Sequence, residues 1–202
     1  MWQSNHNLAS LIGSRICHDL ISPIGAICNG LELMQLDGRP ISPEMTLISE
    51  SVNHANARIR FLRVAFGMAG DQQHMTRSEV ASILQDMSAG SRVEFDWTPQ
   101  AEYSRAQVQE VFLALQCLES SMPQGGVISV TRIGNGSGFW EVSGPADTAR
   151  PDPRLWEALA DPVHQAEIRP AHVQFALLPA LVTERGGRIR VESRPGECVL
   201  RF

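Results

Sequence analysis

The sequence predicts an α+β protein of two parts, an N-terminal antiparallel helical hairpin and a C-terminal α/β sandwich. Apolar residues recur every three or four positions over roughly the first 70 residues, which is the period of amphipathic helices. A polar, glycine-containing segment follows at 69–75, and beyond it helical and strand patterns mix without regular alternation. With 202 residues, 43% of them hydrophobic, the chain can form two small domains. We place them at 1–72 and 73–202.

The hairpin is predicted from two helical patterns and the turn between them. The first helix covers residues 5 to about 36, DGRPI (37–41) forms the turn, and the second helix runs from Pro43 to about Ala69, with Ser42 as its N-cap. Two helices bury little surface alone, so we expect a homodimer in which two hairpins form a four-helix bundle. The apolar stripes are Leu8, Ile12, Ile16, Leu20, Ile24, Ile27, Leu31 and Met34 on the first helix, and Ile48, Val52, Ala55, Ile59, Leu62 and Phe66 on the second.

The second part is predicted as helices packed on a sheet. The Gly-rich run GNGSG (134–138) lies between two strand patterns, which is typical of a hairpin turn. The predicted helices are 77–89, 104–121, 153–160 and about 170–184, and the predicted strands are 92–97, 126–132, 139–143, 187–193 and 197–202.

Composition excludes several classes of function. The net charge is −5, all 17 basic residues are arginine, and no basic block is present, so we expect no nucleic-acid partner. The four cysteines are scattered, which favours reduced thiols over disulfides or a zinc site. The N-terminus does not read as a signal peptide, and the longest apolar run has ten residues and contains a proline. We therefore expect a cytoplasmic protein with no membrane partner.

One motif stands out in the first helix, the histidine, acid and proline of HDLISP. Counting about 100° per residue places His18 roughly opposite the apolar stripe, so it points to solvent. Asp19 can accept a hydrogen bond from one imidazole nitrogen and leave the other as a nucleophile, while Pro23 should bend the helix. A solvated histidine beside a kink is the alternative. The histidines show no metal-ligand spacing, so no metal site is expected. The face around His18 carries Ser14, Arg15, Ser22, Gly25 and Asn29.

These residues carry a resemblance to a known family. HDLISPIGAI is similar to the H-box of two-component histidine kinases, and the wider stretch RICHDLISPIGAICNGLELM resembles histidine phosphotransferases of the ChpT type. LVTERGGRIRVESRPGECVLRF and PQGGVISV are similar to parts of a kinase ATP-binding domain. The resemblance therefore implies that the hairpin dimerises and that the sandwich has the histidine-kinase ATPase-like fold.

Three departures from the kinase pattern bear on nucleotide binding. Cys117 stands about where a kinase has its magnesium-binding asparagine, and Ser143 and Gly144 stand in place of the aspartate that reads adenine. RPAHVQF replaces the Gly-rich lid and contains no glycine. Magnesium prefers hard oxygen ligands, and phosphate cradling needs the close backbone approach that glycine permits. We expect no ATP binding and no autokinase activity.

The resemblance implies a phosphorelay enzyme. A receiver-domain aspartate would donate a phosphoryl group to His18, oriented by Asp19, and response regulators would accept it. Arg15 would offset charge and Ser22 would donate a hydrogen bond, while Gly25 and Asn29 would lie against the receiver. The chain would bind no cofactor, because the receiver supplies Mg²⁺. The partners implied are receivers of a hybrid kinase and of CtrA-like response regulators in cell-cycle signalling. An ATP-dependent sensor kinase and a non-catalytic dimeric adaptor are the alternatives.

Overall fold

The computed structural model describes residues 2–36, 42–69, 72–134, 138–145, 153–161 and 167–202. Helices and strands are mixed along this part of the chain, which confirms the predicted α+β class. The helices are α1 (Trp2–Leu36), α2 (Pro43–Ala65), α3 (Arg77–Ser88), α4 (Arg105–Glu119), α5 (Pro153–Ala160) and α6 (Gln174–Glu184). The strands are β1 (His74–Met75), β2 (Val93–Trp97), β3 (Tyr103–Ser104), β4 (Gly126–Ile133), β5 (Phe139–Pro145), β6 (Arg190–Arg194) and β7 (Glu197–Arg201).

Helices α1 and α2 form the predicted hairpin. Ser42 caps α2, with its Oγ accepting from the amide of Met45 at 3.3 Å. The helices pack tightly at the other end of α2, where a Cβ added at Gly13 would lie 2.9 Å from the carbonyl oxygen of Phe66. The predicted end of α2 near residue 69 is wrong, because the helix stops at Ala65.

A five-stranded sheet with the order β2-β4-β5-β7-β6 forms the centre of the C-terminal part. Strands β2 and β4 are parallel and the other neighbours are antiparallel. Helix α4 connects β2 to β4, and its side chains from Val108 to Leu115 are all buried. Because β4 and β5 pair as an antiparallel hairpin, Gly134 and Gly138 flank a turn between strands, as predicted.

The C-terminal half of α2 and the sandwich share one continuous hydrophobic core. Phe61 of α2 is 1% exposed, and its ring stacks on that of Phe112 in α4 with the centroids 4.7 Å apart. Ala57, Val64 and Ala65 belong to the same cluster. The domain boundary at 72/73 stays a prediction, and hydrophobic packing is continuous across it.

The remaining differences concern short elements. The two-residue strands β1 and β3 pair in a small antiparallel sheet that was not predicted, since two residues have no hydrophobic period. The predicted helix at 170–184 begins instead with a 3-10 turn, Pro170–His172, before α6. The predicted turn at 37–41, the middle of the turn at 134–138 and the side chain of Leu8 lie outside the described residues.

Along α1, most of the predicted apolar stripe is exposed in the single chain. Ile16 is 55% and Leu20 46% exposed, whereas Cys17 and Leu31 are buried. The stretch Leu11–Met34 has a mean hydropathy of 1.2 and, by length and composition alone, is long and apolar enough to cross a bilayer. The sequence-based expectation considered only uninterrupted apolar runs and therefore overlooked this stretch.

Candidate functional site

His18 lies in the middle of α1 with its side chain 82% exposed. The helical projection predicted this outward direction. Pro23 lies inside α1, which continues through it to Leu36, so the proline does not end the helix. A bend at Pro23 stays a prediction. The imidazole is therefore carried on a continuous helix and can be reached from solvent.

Asp19 holds the imidazole from one side. The Nδ1 atom of His18 lies 3.2 Å from Oδ1 of Asp19, and Nε of Arg15 donates to Oδ2 of Asp19 at 2.8 Å. The hydrogen bond with His18, and then that with Arg15, lowers the pKa of the Asp19 carboxyl. Because an ionised carboxylate only accepts hydrogen bonds, Nδ1 carries the proton in this contact and Nε2 keeps its lone pair free.

The other predicted site residues follow His18 along the same helix. Ser22 lies one turn further on and is exposed, as is Asn29. A Cβ added at Gly25 would meet no atom within 4 Å, so the space beside this residue is open. Ser14 was predicted to border the same open face, but its Oγ accepts from the amide of Met68 at 3.0 Å. That hydrogen bond ties α1 to the segment after α2.

Two side chains of α4 fix the end of α2, and sequence reasoning did not find them. Arg105 donates from Nη2 to the carbonyl of Arg63 at 2.7 Å and from Nε to the carbonyl of Met68 at 3.2 Å. The Nε2 atom of Gln109 donates to the carbonyls of Ala65 and Gly67 at 3.1 and 2.9 Å. These donors satisfy carbonyls that the helix end leaves without partners. No pattern in the sequence indicates these contacts, because the donors lie about 40 residues beyond the carbonyls that they bind.

Cys17 lies beside His18 but on the inner side of α1. Its side chain is buried, and burial raises the pKa of its thiol, while the positive charge of Arg63 acts in the opposite direction. The thiol is thus mainly protonated at neutral pH, and Cys17 is a poor nucleophile compared with the exposed imidazole. The positive charge of Arg63 nevertheless acts on α1 at Cys17, the residue before His18.

The positions that the sequence resemblance matched to nucleotide-binding residues of kinases, Cys117 and Gly144, are buried. Cys117 is completely buried, and burial, followed by the neighbouring Cys198, keeps the pKa of its thiol well above the usual value. A protonated buried thiol does not fit the oxygen ligands that Mg²⁺ requires. A Cβ added at Gly144 would lie 3.2 Å from Ile128 and 3.3 Å from Met122, which leaves little room for an aspartate. Within the described ranges, no three His, Cys, Asp or Glu residues cluster as metal ligands do.

A groove of about 440 Å³ lies between α2, the end of α4 and the residues before α6. An ion pair between Arg58 Nη1 and Glu119 Oε1, at 3.5 Å, connects the two helices at this groove. Leu62, Phe66 and Val173 give it an apolar lining. The groove is therefore a surface of mixed polarity where the hairpin meets the C-terminal part.

The comparisons with known proteins define the class of the chain as a phosphotransferase. A protein phosphotransferase ChpT from Brucella abortus (strain 2308) is 34% identical over 131 residues, which are 64% of this chain and 62% of that protein. A solved structure described as a bacterial phosphotransferase at 1.7 Å superposes with a TM-score of 0.69 and 26% identity, covering 96% of this chain and 95% of that one. A histidine kinase from Burkholderia phymatum STM815 covers 98% of this chain and 93% of its own, with a TM-score of 0.42 and 16% identity.

The family model described as the histidine phosphotransferase C-terminal domain matches residues 77–197. The chain belongs to the histidine phosphotransferase family and is of the ChpT type. The sequence alignment spans about three fifths of the length of the Brucella relative.

Proposed function

We propose that this protein transfers phosphoryl groups between receiver domains through a phosphohistidine at His18. The observation that carries the proposal is the exposed imidazole whose Nδ1 is held by Asp19 at 3.2 Å. This arrangement fixes the tautomer and directs the Nε2 lone pair outward, which is what a phosphoryl acceptor needs. Membership in the histidine phosphotransferase family supports the same reaction.

The transfer steps follow from this geometry. The Nε2 lone pair attacks the phosphorus of a receiver aspartyl phosphate, a P–N bond forms, and the P–O bond to the aspartate breaks with the electron pair leaving on the carboxylate. A second receiver aspartate then attacks the same phosphorus, and its P–O bond replaces the P–N bond. Catalysis of this kind depends mainly on positioning and charge neutralisation. The receiver would supply Mg²⁺ from its own acidic residues, and the ion would neutralise phosphoryl charge in both steps.

We also propose that this chain binds no nucleotide. The buried thiol of Cys117, the crowding at Gly144 and the proline-containing 3-10 turn before α6 support it. Each removes or blocks a polar contact that a kinase makes to ATP, magnesium or adenine. Several such losses together weaken binding by orders of magnitude.

The proposal also includes a homodimer. The exposed apolar side chains of the hairpin support it, because an apolar face this long is unusual on an isolated soluble domain. Two copies placed face to face would cover it in a four-helix bundle. The exposed residues of the predicted stripes are Ile12, Ile16, Leu20, Ile27 and Met34 of α1, with Ile48 of α2.

The partners proposed are receiver domains of a hybrid histidine kinase and of CtrA-like response regulators in cell-cycle control. We place the protein in the cytoplasm, bound to neither membrane nor nucleic acid. Arg15, Ser22, Gly25 and Asn29 would border the docked receiver. The groove beside Arg58 offers that receiver a second surface.

The deciding experiment adds a phosphorylated receiver to this protein and assays acid-labile phosphate. We expect phosphohistidine on the native protein and none on His18→Ala, which should fold normally because His18 is outside the core. A relay that persists in His18→Ala would overturn the assignment. Labelling from ATP without a receiver would favour the sensor-kinase alternative, and no labelling from any receiver would favour the adaptor.

A further inference from the structure

The contacts at the end of the hairpin opposite its connecting turn set the register of α1 against α2. Ser14 Oγ accepts from the amide of Met68, and it lies 3.3 Å from the position that a Cβ on Gly67 would take. Gly67 follows the end of α2, and its backbone lies over the carbonyl oxygen of Arg63 in the last turn of that helix. Because the two helices are antiparallel, His18, which is one turn further along α1 than Ser14, lies at about the level of Arg63. One turn is about 5.4 Å, and packed helix axes are about 8–10 Å apart, which a long side chain spans.

The guanidinium of Arg63 is available for a ligand. The residue is exposed, and no carboxylate among the described residues forms an ion pair with it. Its backbone carbonyl is held by Arg105, so the helix from which the side chain extends is fixed. Arg15, the cation nearest to His18 along α1, already donates to Asp19. Among the described residues, Arg63 is thus the arginine that lies opposite His18 and whose guanidinium donors are free.

The electrostatic contacts agree with this placement. The charge of Arg63 acts on the thiol of Cys17, which directly precedes His18. The positive charge of Arg63 therefore lies close enough to α1 to act on the residue before His18.

We propose that Arg63 is the residue of this chain that pairs with the phosphoryl group carried by His18. Its guanidinium donates to non-bridging phosphoryl oxygens while Asp19 keeps the proton on Nδ1. Arginine suits this task, since its planar fork of donors matches phosphate and its charge is permanent. The pairing stabilises the bound phosphoryl group and the charge that develops on its oxygens as the P–N bond forms. This inference rests on the proposed function and names a contact residue for it.

The test uses phosphoramidate, a small donor that needs no receiver. The Nε2 lone pair attacks the phosphorus, the P–N bond of the donor breaks, and ammonia leaves. Phosphohistidine formation and decay are followed by ³¹P NMR on the full chain. We expect Arg63→Gln to slow formation about 10- to 100-fold, the range for losing a charged hydrogen bond. Arg63→Lys should restore part of the rate.

The matched control is Arg77→Gln, which removes an exposed arginine from the start of α3 and should react like the native protein. Native rates in Arg63→Gln would overturn the inference, and so would no gain in Arg63→Lys over Arg63→Gln. If the native protein itself forms no phosphohistidine, the proposed function fails instead. Circular dichroism of each variant identifies a loss of folding.

A second measurement tests the placement of Arg63 without any phosphoryl chemistry. Thiol titration of ¹³C-labelled Cys17 by NMR reports the charge on the opposite helix. Arg63→Gln should raise the pKa of the Cys17 thiol further, and Arg63→Lys should leave it near the native value. An unchanged titration in Arg63→Gln would place the guanidinium away from α1 and overturn the inference.

Discussion

Helices α1 and α4 carry the two positions that the sequence matches to the H-box histidine and the magnesium-binding asparagine of kinases. The two helices differ in how much of their surface is exposed to solvent. On α1 the imidazole of His18 and most large apolar side chains are exposed. On α4 every residue from Val108 to Leu115 is buried, and Cys117 is completely buried in the core. The position that the sequence matches to a magnesium ligand of kinases lies in the hydrophobic core, whereas the imidazole of His18 is exposed to solvent.

We therefore expect α1 to act through contacts with other molecules and α4 to serve the stability of its own chain. A substitution on α1 should change assembly or transfer and leave the fold intact. A substitution on α4 should change the stability of the fold and leave transfer intact until the protein unfolds. The four predictions that follow test this difference between α1 and α4.

Leu20→Asp should have the largest effect, on assembly. Leu20 is half exposed in the single chain, so the proposed bundle covers it mainly with the partner copy. Burying an unpaired carboxylate there is costly, and we expect the dimer dissociation constant to rise about 10³-fold or more. Light scattering at micromolar concentration should report a monomer. Ile59→Asp is less specific, because Ile59 is already buried within its own chain.

Asn29→Asp is the control for assembly, since it adds the same charge on the opposite face of α1 and should stay dimeric. A native protein that is monomeric at micromolar concentration would contradict the bundle. So would a Leu20→Asp variant that remains a dimer.

Asp19→Ala should have the next largest effect, on transfer. Without the carboxylate, the ring of His18 can rotate and the proton is no longer held on Nδ1, which should slow transfer from a phosphorylated receiver on the order of 10²-fold. Arg15→Ala should slow it less, because it removes only the second contact of Asp19. ¹⁵N chemical shifts of the imidazole report the tautomer. Equal rates in Asp19→Ala and the native protein would remove Asp19 from the mechanism.

Most of the fold could be predicted from the sequence because its long elements carry a clear hydrophobic period. The same information could not give the end of α2, which depends on a hydrogen bond that Ser14 accepts and on hydrogen bonds that Arg105 and Gln109 donate. Nor could it give the small sheet of β1 and β3, whose strands are too short to show a pattern. These features come from contacts distant along the chain.

The candidate site was predictable only in its local part. His18 and Asp19 are adjacent in a recognisable motif, so their contact follows from the sequence. Arg63 lies 45 residues away, and nothing in its own surroundings distinguishes it from the other arginines. Its position opposite His18 depends on the helix register, which the close approach of Ser14 to Gly67 indicates.

Cys117→Asn tests the prediction that a substitution on α4 changes the stability of the fold. The change restores the amide that a kinase uses for magnesium, but it places that amide where the side chain is completely buried. We expect a loss of about 1–3 kcal/mol in the free energy of unfolding, since the amide finds no designed partner there. Calorimetry with ATP and Mg²⁺ should show no binding, because Gly144 and the 3-10 turn are unchanged.

Cys117→Ala is the control for that substitution and should cost less, because it leaves only a small cavity. Micromolar ATP affinity in either the native protein or Cys117→Asn would contradict the loss of nucleotide binding. Unchanged stability of Cys117→Asn would show that α4 is less tightly packed than its burial indicates.

Glu110 is the one acid of α4 that is buried, and it gives the smallest effect. Burial raises the pKa of its carboxyl to about 7, although Arg185 and then Arg132 act to lower it. Nη1 of Arg185 lies 3.5 Å from Oε1 of Glu110. The folded protein therefore keeps the proton at pH values where the unfolded chain has lost it. The stability that this proton provides is complete below the ordinary pKa, falls as the pH rises towards 7, and is absent above 7.

Glu110→Gln keeps the size of the side chain and cannot ionise, so it should match the native protein at pH 5 and exceed it at pH 8. Part of the gain is offset because the ion pair with Arg185 is also lost, and we expect about 1 kcal/mol, or a rise in Tm of about 2–4 °C. Thermal unfolding at the two pH values measures it. Glu94→Gln, at an exposed position on β2, should give the same small shift at both. If Glu110→Gln lowers Tm at pH 8, the ion pair outweighs the cost of burial, and α4 would then depend on a charge in its core.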